Sequence, residues 1–169
     1  NEKITADFVL ARCEGPYSDS RRPDWVKPGT LEQDLSRRDF TVNALAKAED
    51  GNIIDLFGGK EDLLHRRLSA VGDAKVRLLE DPLRAYRALR FKITKGFRLD
   101  DDLISAMKTV AILDSLETVS ADRIRDEMRR CLVHDTVDTV IELAYTFPEM
   151  LGVMARKGIW LKPTSEAKK

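Results

Sequence analysis

The sequence predicts an α+β fold that is mostly α, with a few short strands before residue 72 and helices after it. Three observations predict it. Short runs rich in β-branched and aromatic residues, 4–12 and 53–57, end at the turn pairs Gly15-Pro16 and Gly58-Gly59 and read as strands. After Gly96 the apolar residues recur at helical spacing, as in Leu103, Ile104 and Met107, then Ile124, Met128 and Cys131. Between these regions, Asp81-Pro82 opens a helix that runs to about Thr94, just before Gly96. The expected division is 1–71 for the strand-bearing part, 72–155 for the helical part and 156–169 for a basic, partly disordered tail.

Composition narrows the class. Of 169 residues, 43% are hydrophobic and 34% charged, as in an ordinary globular protein. Lys plus Arg and Asp plus Glu both number 29, so net charge does not advertise nucleic acid. Local charge does more: Arg84, Arg87, Arg90, Lys92, Lys95 and Arg98 follow one another without an acid. Such a stripe binds phosphate or is simply a solvated face. Cys13 and Cys131 have no metal-like spacing and read as free thiols of a reducing compartment, the cytoplasm. No signal peptide and no apolar run of membrane length occurs in the sequence.

The elements follow in order. Asp7 interrupts the strand 4–12. It is either a metal ligand facing a cleft or an outward charge on an edge strand. Residues 15–30 form a polar loop, tacked down by Trp25 and Val26. Thr30 and Gln33 fit a capping box and predict a short helix over 31–35. Asp39 or Thr41 caps a helix through Leu45. Arg37, Arg38, Asp39 and Asn43 crowd there, suited to phosphate and ribose or to surface ion pairs. Residues 49–52 form a hairpin-type turn before the strand 53–57, and helices follow over 60–65 and 73–79. His65 has no second His nearby and reads as a surface residue. Neither GxGxxG nor GxxxxGK[ST] is present.

On the helix that begins at Pro82, Leu83, Tyr86, Leu89 and Ile93 share one face. Arg84 and Arg87 lie on the other side with Asp81. That gathers a carboxylate and two guanidiniums at a helix start, either as a cap with solvated arginines or as an anion site. Beyond it, Asp100 or Asp101 caps a helix through Val110, and Ser120 caps the next. Arg123 and Glu127 read as an i,i+4 pair. A helix over 136–145 carries Val137, Val140, Ile141 and Ala144 as its apolar side, and Pro148 begins a last one through Met154.

Four stretches together resemble one family. Residues 37–45, RRDFTVNAL, look like the RRDFTxNAL motif of class II tRNA nucleotidyltransferases, the CCA-adding enzymes, and of the related bacterial poly(A) polymerases. Residues 55–63, with Asp55, Gly58, Gly59 and Asp62, resemble their next block. Glu80-Asp81-Pro82-Leu83-Arg84, with Arg87 and Arg90-Phe91, is similar to their EDxxR motif, and Arg123, Ile124 and Glu127 resemble the ERIxxE helix of their neck. The fold implied is a partial nucleotidyltransferase head followed by an all-helical neck.

Carried over by resemblance, Arg38 and Asp39 handle the ribose, with Asn43 supporting their loop. Asp81 and Arg84 present hydrogen-bond edges to the incoming base. Arg87, with Arg12 and Arg90, meets the triphosphate, although Arg90 lies near the apolar side, where a structural ion pair serves as well. Asp7 stands where the family has a third catalytic carboxylate, a metal ligand. The substrates implied are CTP, ATP and the tRNA 3′ end, with Mg²⁺ as the metal.

One part of the family pattern is missing. No Gly-Gly or Gly-Ser turn followed by a strand with DxD occurs in these residues, and those carboxylates hold the Mg²⁺ ions. The sequence therefore leads us to expect a chain inactive alone, the nucleotide-selecting half of a CCA-adding enzyme. An N-terminal half would come from an upstream segment or a separate partner chain. A poly(A) polymerase half and a non-catalytic tRNA- or nucleotide-binding subunit remain as alternatives.

Overall fold

A computed structural model describes residues 9–18 and 22–159. The expected α+β, mostly helical architecture is what it has. Among the described residues the strands form three two-stranded pairs. β1 (Arg12–Glu14) pairs antiparallel with β2 (Val26–Pro28), with Cys13 opposite Lys27. Within the expected loop 15–30, Val26–Pro28 is a strand, whereas the other described residues up to Trp25 are irregular, as expected. Gly15 accepts the Trp25 ring so closely that a Cβ there would meet the indole at 2.5 Å. The expected strand 4–12 lies mostly outside the described residues, as do Asp7 and the tail from residue 160.

α1 (Leu31–Ser36) begins at the Thr30–Gln33 capping box, with both reciprocal bonds formed. The expected helix through Leu45 does not form. Residues Thr41–Asn43 make a single 3₁₀ turn, and β3 (Leu45–Lys47) then pairs antiparallel with β4 (Ile53–Asp55). Two local facts explain this. Phe40 bridges Ala70 and the Thr41 N–H donates to the Ser69 carbonyl at 3.0 Å, which holds the backbone extended. The β-branched pair Thr41-Val42 also favours extension.

α2 (Gly59–Leu64) starts where Asp55 accepts from the N–H groups of Gly59 and Lys60, both at 2.9 Å. α3 (Ala74–Glu80) is capped by Asp73, whose carboxylate accepts from Val76 N–H at 2.8 Å. α4 (Leu83–Lys95) ends at Gly96, which takes the left-handed conformation at φ 68°. β5 (Arg67–Leu68) and β6 (Arg98–Leu99) pair in parallel around these two helices.

α5 (Asp101–Met107) and α6 (Val110–Leu116) replace the single helix expected through Val110. The break at Lys108 and Thr109 turns Val110 out to solvent while Ile112 and Leu116 stay inside. α7 (Ala121–His134) follows. Then α8 (Thr136–Ile141) runs into a π-helical turn, Glu142–Thr146, and α9 (Pro148–Arg156) closes the bundle. The apolar side expected for 136–145 is out of phase. Val137, Val140, Ile141 and Ala144 are exposed, whereas Thr139, Leu143 and Phe147 are buried. The buried residues recur every four positions, at 139, 143 and 147, and the wide π turn carries that face on to Phe147.

α4 packs on α7 through the middle of the main core, which runs from Phe40 and Leu68 to Phe147 and Met154. The face expected on α4 is buried at Leu83, Tyr86 and Leu89 and half-buried at Ile93. Tyr86 is fully enclosed and donates to the Met150 carbonyl at 2.9 Å, which ties α4 to α9. A smaller cluster of Leu35, Ala44 and Val71 sits beside it.

Candidate functional site

The start of α4, the end of α1 and one face of α7 converge on one charged cluster. Its centre is Asp39, which is 8% exposed. One carboxylate oxygen of Asp39 accepts from its neighbour Phe40 N–H at 2.9 Å and from the Asn43 amide at 2.9 Å. The other accepts from Arg87 Nε at 2.9 Å and Nη2 at 2.5 Å. Burial opposes the charge on Asp39. The Arg87 guanidinium and these hydrogen bonds outweigh it and hold the carboxyl below the usual carboxylate range. In return, Asp39 raises the pKa of Arg87 against the burial that would lower it.

Asp81 lies between α3 and α4, where the backbone is extended (φ −144°, ψ 97°). Its expected capping role is present but slight: Oδ1 accepts from Leu83 N–H at 3.3 Å. The main partner is Arg123, whose Nη2 donates to both oxygens, at 3.2 and 2.9 Å. The i,i+4 pair expected between Arg123 and Glu127 is therefore absent. Arg123 reaches across to Asp81, and Glu127 pairs with Arg90. Glu127 is 6% exposed, so its charge is committed to the cation facing it on α4, with Arg87 at 3.9 Å as a second neighbour. Of the two readings of Arg90, the structural ion pair is the one observed, and its guanidinium also lies over the Phe91 ring at 4.7 Å.

Arg84 is not solvated, although its wheel position faces away from Leu89. It is 8% exposed. Its Nη1 donates to Glu80 Oε2 and to the Arg77 carbonyl, both at 2.8 Å, and its Nη2 to the Arg37 carbonyl at 3.1 Å. Glu80 also binds Arg77 at 2.7 Å. Arg77 is thus part of the site and was not singled out from the sequence. Its i,i+3 spacing to Glu80, the first residue of the EDPLR stretch, is the signal that could have found it.

The remaining cations flank this centre. Arg38 is half exposed and bonds Asp34 at 3.1 Å. Arg37 bridges Asp34 at 2.5 Å and Glu14 at 3.1 Å. Arg12 faces Glu14 at 2.9 Å, and Tyr17 donates to the same carboxylate. Burial and that bond push the Tyr17 hydroxyl up to about 12. The β1–β2 hairpin is so fastened to α1 by Glu14. Among the described residues no group of three or more His, Cys, Asp or Glu could hold a metal ion.

Arg38, Asp39, Asn43, Asp81, Arg84 and Arg87 are all drawn to the α1–α4 junction. The cluster offers the partly open guanidiniums of Arg38 and Arg87 and a spare lone pair on Asp81, which suits a ligand with phosphate and polar base edges.

Known proteins resemble this chain in sequence and in fold. A family described as "Poly A polymerase head domain" matches residues 1–69. A CCA-adding enzyme of Leuconostoc citreum is 40% identical over 166 residues, 96% of this chain and 41% of the relative. A CCA-adding enzyme of Lactococcus lactis is 48% identical over 128 residues, 75% of this chain and 31% of the relative. The chain thus spans about two-fifths or less of the curated relatives it matches. The Bacillus stearothermophilus CCA-adding enzyme, solved in complex with CTP, superposes with a TM-score of 0.72 at 34% identity, over 89% of this chain and 36% of that one. The Thermotoga maritima CCA-adding enzyme complexed with tRNA superposes with a TM-score of 0.62 at 28% identity, over 69% of this chain and 29% of that one.

Proposed function

We propose, for a chain that belongs to the family of class II CCA-adding tRNA nucleotidyltransferases and bacterial poly(A) polymerases, that it is the nucleotide-selecting part of a CCA-adding enzyme. The reaction is transfer of C and A from CTP and ATP to a tRNA 3′ end. The observation that carries this reading is the Arg87–Asp39 ion pair, which joins the RRDFT block to the EDxxR helix across 48 residues of sequence. Relatives solved with CTP, with ATP and with tRNA support the substrate classes. The strand-bearing residues 1–71 serve as the end of the head and 72–155 as the neck.

In this reading Asp81 and Arg84 read the base. Cytosine and adenine both carry an exocyclic amine that a carboxylate accepts, and a guanidinium donates to ring acceptors beside it. Arg38 and Asp39 address the ribose, Asn43 steadies Asp39, and Arg87 with Arg12 meets phosphate. Arg90 remains with Glu127. Among the described residues no cluster of three or more His, Cys, Asp or Glu could hold the metal, and Asp7 lies outside them. Mg²⁺, when bound, would activate the primer hydroxyl and steady the triphosphate from the DxD-bearing half. That half is an upstream segment of the same protein or a partner chain. A cytoplasmic setting suits the two free thiols.

The test is reconstitution. The chain joined to, or mixed with, a DxD-bearing half is expected to add C and A to tRNA lacking its 3′ end. Asp81→Ala with Arg84→Ala is expected to abolish the choice among the four nucleotides. A pair that adds nothing to tRNA overturns the enzyme reading. Addition of A alone, without C, moves the assignment to poly(A) polymerase.

A further inference from the structure

We propose that Arg123, on the neck helix α7, is a positioning residue for base choice that holds the Asp81 carboxylate in one orientation. This rests on the proposed base-reading role of Asp81. The backbone does not hold that side chain. Asp81 sits in the extended link between two helices, and its contact with Leu83 N–H is long at 3.3 Å. Arg123 is what fixes it, with one nitrogen on both oxygens.

Arg123 is itself mounted rigidly. Glu127, one turn further along α7, is locked to Arg90 of α4, and the apolar faces of α4 and α7 pack together. Asp81 and Arg123 remain partly open, with side chains 18% and 25% exposed. The pair therefore borders accessible space.

The consequence follows from counting lone pairs. Each carboxylate oxygen has two. Oδ1 serves Leu83 N–H and Arg123, whereas Oδ2 serves Arg123 alone and keeps one direction free. An exocyclic amine, as on cytosine and adenine, donates into that direction. Uracil and guanine present a carbonyl oxygen there and are repelled. Without Arg123 the carboxylate can rotate, and the direction that separates amine from carbonyl is lost.

The experiment uses the assembled enzyme, with CTP competing against UTP and ATP against GTP. Arg123→Gln is expected to lower both kcat/KM ratios by about tenfold, the scale of one well-placed polar contact to a base. The change should lie chiefly in KM for CTP and ATP. Arg123→Lys is expected to recover part of the ratio. Arg125→Gln, which removes only an exposed pair with Asp122 on the same helix, should leave it unchanged. Because Arg123 acts through Asp81, Asp81→Ala combined with Arg123→Gln should discriminate no worse than Asp81→Ala alone. Ratios within about twofold of the parent for Arg123→Gln overturn the inference. Should that variant not fold, ratios for Arg123→Lys equal to the parent overturn it as well. If Asp81→Ala leaves discrimination intact, the base-reading role itself fails. If Asp81→Ala alters it and Arg123→Gln does not, only the role of Arg123 fails.

Discussion

Asp39→Asn tests the ion pair that holds the site together. The change keeps the shape of the side chain and removes its charge. In either amide orientation an NH₂ replaces an oxygen that now accepts. It faces Arg87 on one side, or the Phe40 N–H and Asn43 amide on the other. Donor then meets donor. A hydrogen bond to a charged group contributes about 1.5–3 kcal/mol, and two are lost on the Arg87 side. The full sum overstates the effect, because the Arg87 side chain is 34% exposed and can turn to water. We expect a loss of about 2–3 kcal/mol in equilibrium urea unfolding at pH 7.

The effect has a pH signature. Asp39 has a folded pKa below its unfolded value, so its stabilisation is present above the unfolded value of about 3.9 and is lost as pH falls through the folded pKa. The gap between parent and variant should hold from pH 7 to about 4 and narrow below that. A loss under about 1 kcal/mol at pH 7, or a gap that stays constant into acid, refutes the reasoning.

Two further outcomes are expected. Gly59→Ala should cost about 2–3 kcal/mol in the same unfolding assay, because a Cβ there would lie 2.2 Å from the Thr41 carbonyl oxygen. Gly58→Ala, at φ 78° with open space around it, should cost only about 1–2 kcal/mol, and the reverse order would contradict the packing described. A thiol reagent at about pH 8 should label half-buried Cys13 in the folded chain. Cys131, whose thiol burial pushes up to about 12, should react only in denaturant, and equal native rates would contradict its burial.

The sequence by itself determined the features that depend on neighbours a few residues apart. The Thr30–Gln33 box, the Asp100 cap, Pro148 opening α9 and Gly96 closing α4 are all such cases. Each arises because the unpaired N–H or C=O groups of a helix end are met by a residue already beside them or, at Pro148, because the N–H is missing to begin with. The block order around Arg38-Asp39 and Asp81-Arg84 was also legible, which located the site. What only the tertiary structure decided was the partner of each charge. Arg123 matches Glu127 by helical spacing yet pairs with Asp81, 42 residues earlier. Arg84 faces away from the apolar stripe yet is buried, because α3 and the end of α1 cover it with Glu80 and two carbonyl groups. The inward face of 136–145 was likewise set by packing, which buries Thr139 and Leu143 and leaves Val137 and Val140 exposed. A surface i,i+4 pair gains only a few tenths of a kcal/mol, so a well-desolvated partner brought by packing readily displaces it.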